Sequence, residues 1–494
     1  MRRRYDIGSS SLCGWVGFLA ALAIYVATLL PGVAFWDTGE MQTVPFLFGI
    51  AHPTGFPAFV LGGWVFAHVV PFGEPAWRLS LFAALAAAGA AGALAAFVCE
   101  IAGNALVGVM AAGVYALGDV AWTRGVRADV HDLALACVAF ALLAALRAGR
   151  DRSERAAGLA ALWIGFGVAT HPVALLAVPA VIVIGWPALE RRRRLVACAA
   201  LALAPLALYA YVPLRSADIE AHGRDPAAAL GIRGGAIWDT DAPATPAAFA
   251  RYVAGTAFDP TGAFASARTP RGFERIRTFA TAVARREYSP LVLALASTGL
   301  IFLAIVRRRV ALGFVTLVAL EIAFAANFAA ESDRERYLLG ALWAAAACAG
   351  IGAWWVATAL AGPARPRLGA ALATGLLAVG LWPNVLGAAR DLAQRRGASD
   401  ARAFVATVER DAVPGSLVIA SWTFATPLAY QIYVARTLRL RLVCGWPLAY
   451  TGRFAAWRRA FGHVYVVVPP WYAIDVPTRA IVSSARYRFS EVRS

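Results

Sequence analysis

Eleven stretches of about 15 to 23 mostly apolar residues recur along the chain, and a helix needs about 20 such residues to cross the hydrocarbon core of a bilayer. They fall at 12–30, 78–99, 104–121, 131–147, 156–170, 172–189, 195–213, 290–306, 310–329, 338–360 and 368–386. Backbone N–H and C=O groups find no water in lipid, so runs of this length are expected to be helices. The 494 residues are 60% hydrophobic and 15% charged, against about 25% charged in a soluble domain. Water-soluble and disordered chains are thereby excluded. The predicted fold class is an all-α polytopic membrane protein of about eleven transmembrane helices, carrying a small extracytoplasmic α/β domain at its C-terminus.

The net charge is +17, and every basic residue is Arg. The arginines cluster between apolar runs, which reads as membrane topology rather than nucleic-acid binding. With a cytoplasmic N-terminus, Arg2–Arg4, Arg147 to Arg155, Arg191–Arg194, Arg307–Arg309, Arg365 and Arg367 all fall inside. Only the turn near Glu100 lacks Arg. Eleven crossings put the C-terminus outside, and the first run reads as a retained helix of a bacterial inner-membrane protein. The six Cys show no paired spacing, so neither a disulfide framework nor a zinc site is expected.

In this topology all six His, with Asp37, Glu40, Asp129 and Asp333, lie at the outer face. Three outer regions are long: 31–77, 214–289 and the tail from 388. Residues 56–70 suit a helix lying along the interface. In the tail, a helical pattern at 402–411 and β-like runs at 416–421 and 463–469 predict a small α/β unit. The division is then 1–387 and 388–494.

Polar clusters on the outer side carry the candidate chemistry. The densest is FWDTGEMQTVPFLFGIAHPTGFP at 35–57, with Asp37 and Glu40 one helical turn apart and His52 following. Two carboxylates at a membrane boundary are costly unless used or paired. They suit a general base and an acid that binds phosphate, metal or sugar, whereas a plain loop would use Asp37 only as a helix cap. A second cluster, WTRGVRADVHD, offers Arg124, Arg127, Asp129, His131 and Asp132. Further candidates are His171, Arg215 in YVPLRS, and Asp333, Arg334 and Tyr337 in ESDRERY. Glu321, inside an apolar run, is a candidate by its position alone. An Asp/Glu/His set of this kind could hold a divalent cation, although no metal motif is present. Nucleotide, zinc-protease and serine-hydrolase signatures are lacking.

WDTGE followed by GIAHPTGFP resembles the opening signature of a family of multi-spanning proteins long labelled a domain of unknown function. That family includes the animal transmembrane O-mannosyltransferases and belongs with the GT-C glycosyltransferases. ADVH at 128–131 resembles the family's AEVY, with Asp129 in place of Glu and His131 in place of Tyr. GVATHP at 167–172, YVPLRS at 211–216, WDTDAP at 238–243 and PGSLVIASWTFATPLAYQIYV at 414–434 are similar to later segments, in order.

The resemblance implies a GT-C fold, an outer active site and a sugar donor on a polyprenyl phosphate. The acceptor would be a protein or glycan, and nucleic acid no partner. In that reading Asp37 is the base and Glu40 orients the acceptor or an ion. Arg124, Arg215 and Arg334 hold phosphate, and His52 bonds phosphate or sugar. Arg127, Asp129, His131, His171, Asp333 and Tyr337 complete the substrate-binding set. Two other classes remain at this point. A transporter or flippase of a charged lipid would show repeats and midplane charge, and neither is visible. The other is a noncatalytic assembly protein.

Overall fold

The structure is a computed structural model that describes residues 7–232, 235–328, 333–362 and 364–493. Arg2–Arg4 and Glu331 lie outside the described residues. Among the described residues, eight helices are long and apolar enough to span a bilayer, or ten if each of two bent pairs is one span. The chain is an integral, multi-pass membrane protein. Ten of the eleven apolar runs find a counterpart among these helices. Residues 156–170 form the helix Glu154–Thr170, which has partners at both ends of the bundle: Glu154 pairs with Arg194 at the arginine-rich end, and the ring of its C-cap His171 lies 4.3 Å from that of His131 at the other. The run at 104–121 is broken, because Ala105–Ala116 turns by 79° into Asp119–Gly125. The run at 290–306 continues from Pro270–Glu287 across a 113° bend.

Two compact units divide the chain. The first comprises residues 1–29, 83–208 and 258–394; the second comprises 30–82, 209–257 and 395–494. The helix Pro366–Ser399 runs continuously through position 388.

The first unit is a helical bundle packed through small residues. A Cβ on Gly299 would lie 1.9 Å from the Cys348 carbonyl oxygen, and one on Gly352 would lie 2.0 Å from that of Leu295. The helices Pro290–Val306 and Leu339–Ala361 therefore meet backbone to backbone, as small-residue interfaces allow in lipid. Glu321 accepts the Ala341 N–H at 2.7 Å and so caps the buried start of Leu339–Ala361. A structural cap accounts for this intramembrane acid. Glu287 caps Asp119–Gly125 in the same way, through Val120 N–H at 2.9 Å. The Arg-free turn near Glu100 is also explained. Arg147 and Arg150 reach Glu100 at 2.6–2.9 Å, so the arginine-rich end of the bundle neutralises its own buried acid.

The second unit is built on a five-stranded sheet: β1 (Leu417–Ala420), β2 (Arg441–Cys444), β3 (Val464–Val468), β4 (Thr478–Ser483) and β5 (Arg488–Val492). The order is β2-β1-β3-β5-β4, with β1 parallel to both neighbours and β5 antiparallel to β3 and β4. Strands β1 and β3 are buried at every position, which explains their unbroken apolar runs. The helix Arg402–Asp411 covers one face through Phe404, Val405 and Val408. The segment 30–82 joins this unit through Ala401 N–H to Val33 O at 2.9 Å. Its apolar helix is Pro57–Val69.

Candidate active site

Asp37 and Glu40 lie on one helical turn, Trp36–Met41, in the second unit. Phe35, not Asp37, holds the N-cap position, so capping does not account for the acid. Gly39 is required here. A Cβ would lie 2.3 Å from the Ala34 carbonyl oxygen and 2.8 Å from Thr426 Oγ1. Gly39→Ala is expected to cost about 1–3 kcal/mol through overpacking, read as a lowered thermal midpoint in detergent. Gln42 pins the turn from behind. Its amide accepts Ala34 N–H at 2.8 Å and donates to Gly32 O and Ser80 Oγ at 3.1 Å.

His52 is delivered by the loop after this turn. Three side chains hold that loop by its carbonyls. Tyr211 Oη donates to Phe48 O at 2.7 Å and Gly49 O at 2.8 Å; Arg215 Nε donates to Phe48 O at 2.8 Å; Tyr252 Oη donates to Ala51 O. Ile50 N–H reaches Trp238 O at 2.6 Å. Trp36, Phe48 and Phe56 hold left-handed φ values of 60°, 54° and 50°. Such residues cost about 1–3 kcal/mol each and persist where surrounding bonds over-determine them.

The three side chains converge. Asp37, Glu40 and His52 offer ligand atoms within 4.8 Å of one another, the one such group among the described residues. Glu40 is fully buried, with both oxygens engaged: Oε1 accepts His52 N–H at 2.7 Å and Oε2 lies 2.5 Å from His52 Nδ1. Burial raises the Glu40 pKa above the carboxylate range, against the opposing pull of His52. Asp37 is half-buried and accepts Trp422 Nε1–H at 3.0 Å. Trp422 stands directly after β1, and its ring lies 5.8 Å from that of His52. Sequence reasoning gave Trp422 no role, although a Trp closing a strand was legible.

Arg215, expected to hold phosphate, has protein partners at Phe48 O and Asp218 and lies 5.6 Å from the Phe48 ring centroid. It positions the His52 loop. Asp239 of WDTDAP is buried one residue from the Trp238 anchor, and burial pushes its pKa up to about 6, with Ser216 beside it opposing. Its folded pKa exceeds the ordinary value of 3.8, so the folded state holds the extra proton between the two. Stability from this group therefore falls as pH rises from about 4 to about 6 and is level above. Asp239→Asn is expected to remove that slope from thermal midpoints measured across the same range.

The remaining expected residues gather in the first unit, around the start of the helix Val130–Asp151. Asp129 caps it, accepting His131 N–H at 2.9 Å, and meets Arg124 at 3.1 Å and His131 Nδ1 at 2.7 Å. Arg124 also pairs with Asp333, and Arg127 lies 3.6 Å from it. Burial would raise Asp333, but Arg124 and Arg127 hold it below the usual range. Desolvation and the neighbouring Arg124 bring Arg127 down to about 10. The His131 and His171 rings lie 4.3 Å apart, and Tyr337 closes on both at 5.2 and 6.0 Å. Three separate sequence clusters thus form one. Arg334 departs from it, donating to Ala326 O at 3.0 Å with its guanidinium 5.3 Å from the Phe279 ring centroid. Buried Arg336 takes its place, close enough to act on Arg124, Arg127 and Asp333. Arg147 and Arg150 lie about 30 Å away at the other end of the same helix, at 1.5 Å per residue.

A family model described as the Protein O-mannosyl-transferase TMEM260 N-terminal domain matches residues 37–187. The match begins at Asp37 and includes Glu40, His52, Arg124, Arg127, Asp129, His131 and His171. Protein O-mannosyl-transferase TMEM260 of Mus musculus is 32% identical over 155 residues, which is 30% of this chain and 22% of that protein. Protein O-mannosyl-transferase tmem260 of Dictyostelium discoideum is 26% identical over 187 residues, 35% of this chain and 23% of that protein. The matches thus span less than a quarter of either relative's length. Among solved structures, apo ArnT from Cupriavidus metallidurans superposes with a TM-score of 0.54 at 12% identity, covering 97% of this chain and 98% of that one. ArnT bound to undecaprenyl phosphate gives 0.52 at 14% identity, with the same coverage. The resemblance read from WDTGE and GIAHPTGFP is borne out over residues 37–187, and the fold is that of ArnT.

Proposed function

We propose that this chain is an integral-membrane glycosyltransferase that moves a sugar, mannose first among candidates, from a polyprenyl-phosphate carrier to an acceptor hydroxyl outside the membrane. The observation carrying the reading is the convergence of Asp37, Glu40 and His52 within 4.8 Å, inside the segment similar to O-mannosyltransferases. The carrier class is supported by the undecaprenyl phosphate bound to ArnT. The membrane is a bacterial inner membrane, with the N-terminus cytoplasmic and the C-terminal sheet outside.

Asp37, the accessible carboxylate, takes the acceptor proton. The acceptor oxygen attacks the anomeric carbon, the bond to phosphate breaks, and polyprenyl phosphate leaves with inversion. Glu40 has both oxygens on His52, so it orients that ring beside the reacting groups. Cells lacking the gene are expected to lose a mannosylated protein or glycan, and wild-type copies to restore it. An unchanged profile would overturn the reading.

One observation favours a second reading of the acids. Two hard oxygens and an imidazole nitrogen within 4.8 Å suit a divalent ion, which would polarise a bound oxygen as a Lewis acid. Chelator then abolishes transfer and Mg2+ or Mn2+ restores it. With Asp37 as a free base, transfer survives the chelator.

A further inference from the structure

The three parallel strands β2, β1 and β3 run the same way, so their carboxyl ends share one edge of the sheet. In open α/β sheets ligands bind along such an edge. Each strand here is followed by a tryptophan: Trp422 after β1, Trp446 after β2 and Trp471 after β3. Trp422, on the central strand, donates to Asp37. Cys444, the last residue of β2, lies near enough to Glu40 for that carboxylate to add to the rise of its thiol pKa, which burial pushes up to about 12. Trp446 follows two residues later.

Trp446 and Trp471 do not close a core. They are 43% and 76% exposed, with Leu448 at 56%. With Ala449 and Tyr472 they line an open cleft of about 530 Å³, within the usual size of a ligand pocket. Trp446 stacks on Tyr472 at 4.7 Å and faces Trp471 at 5.9 Å. The Tyr472 hydroxyl accepts Leu448 N–H at 3.2 Å. Besides the Tyr472 hydroxyl the side chains lining the cleft offer only two indole N–H donors, too few for the hydroxyls of a saccharide. Paired aromatic rings of this kind suit an apolar or prolyl side chain of an extended polypeptide.

We infer that the Trp446–Trp471–Tyr472 cleft docks an apolar or prolyl side chain of a polypeptide acceptor, a few residues from the hydroxyl presented to Asp37. The inference rests on the proposed transferase reading and names its acceptor class. It makes the enzyme selective for sequence around the modified residue rather than for the hydroxyl alone.

The test uses the full chain in vesicles, a radiolabelled mannosyl-phosphate polyprenol, and two acceptors. One is a peptide library with a fixed central threonine; the other is N-acetyl-threonine amide, too small to reach the cleft. Wild type is expected to favour peptides with proline, leucine or an aromatic residue at one fixed offset. Trp471→Ala, at the most exposed ring, and Trp446→Ala should each raise the KM of favoured peptides at least tenfold. Labelling of N-acetyl-threonine amide should stay within twofold. Labelling of the small acceptor with no peptide preference in wild type, or a preference unmoved by both substitutions, overturns the inference and leaves the transferase reading standing. Strong quenching of Trp446 and Trp471 fluorescence by brominated lipid also overturns it, since the cleft then faces the bilayer. Failure to label either acceptor removes both readings.

Discussion

Asp37→Asn is expected to lower transfer in isolated membranes by about 10²–10⁴-fold, the usual contribution of a general base, while the protein still folds. The amide keeps an oxygen for Trp422 Nε1–H, which lies 3.0 Å from Asp37 Oδ1, so the turn Trp36–Met41 loses proton affinity and little else. Thermal unfolding should shift by less than about 1 kcal/mol, as for a substitution that leaves packing intact. Glu40→Gln is expected to behave differently. It removes the charge that meets His52 at 2.5 Å inside a buried pair, so stability and rate fall together. If Asp37→Asn retained transfer within threefold of wild type, the base would lie elsewhere.

The largest loss of stability is expected from Arg124→Ala. Arg124 is buried and bonded to Asp129 and Asp333, and Asp129 also caps the helix Val130–Asp151. Removing one member of a buried ion network strands the others, at a cost of about 3–5 kcal/mol. Arg334→Ala serves as the comparison. Arg334 reaches a backbone carbonyl and an aromatic ring outside the network, so its removal should cost about 1 kcal/mol, the worth of an ordinary hydrogen bond. Guanidinium or thermal unfolding in detergent separates the two. A double substitution of Arg124 and Asp333 should cost less than the sum of the singles, because each single leaves the other charge stranded.

The membrane fold was legible because lipid imposes a length and an apolar character that no local detail can disguise. The bends at 116–119 and 287–290 were hidden because apolar runs continue on one side of each turn. In the sheet, β1 and β3 were readable as the β-like runs at 416–421 and 463–469. β2 and β4 were not, since Arg441 and Arg479 open onto solvent and break the apolar run.

At the site, the spacing of Asp37 and Glu40 sufficed to place both on one turn. Tertiary partners were beyond its reach. Nothing local links Trp422 to Asp37 across 385 residues, or Tyr252 to Ala51 across 201. Arg215 and Arg334 likewise donate to the carbonyls of Phe48 and Ala326, partners that no local pattern reveals.

The most direct measurement is single-turnover transfer by the purified wild-type chain, reconstituted in vesicles with a radiolabelled mannosyl-phosphate polyprenol and a threonine-bearing acceptor. The expected result is label leaving the lipid and appearing on the acceptor with inverted anomeric configuration. Label that stays on the lipid, or crosses the bilayer with its carrier intact, would contradict a transferase centred on Asp37, Glu40 and His52.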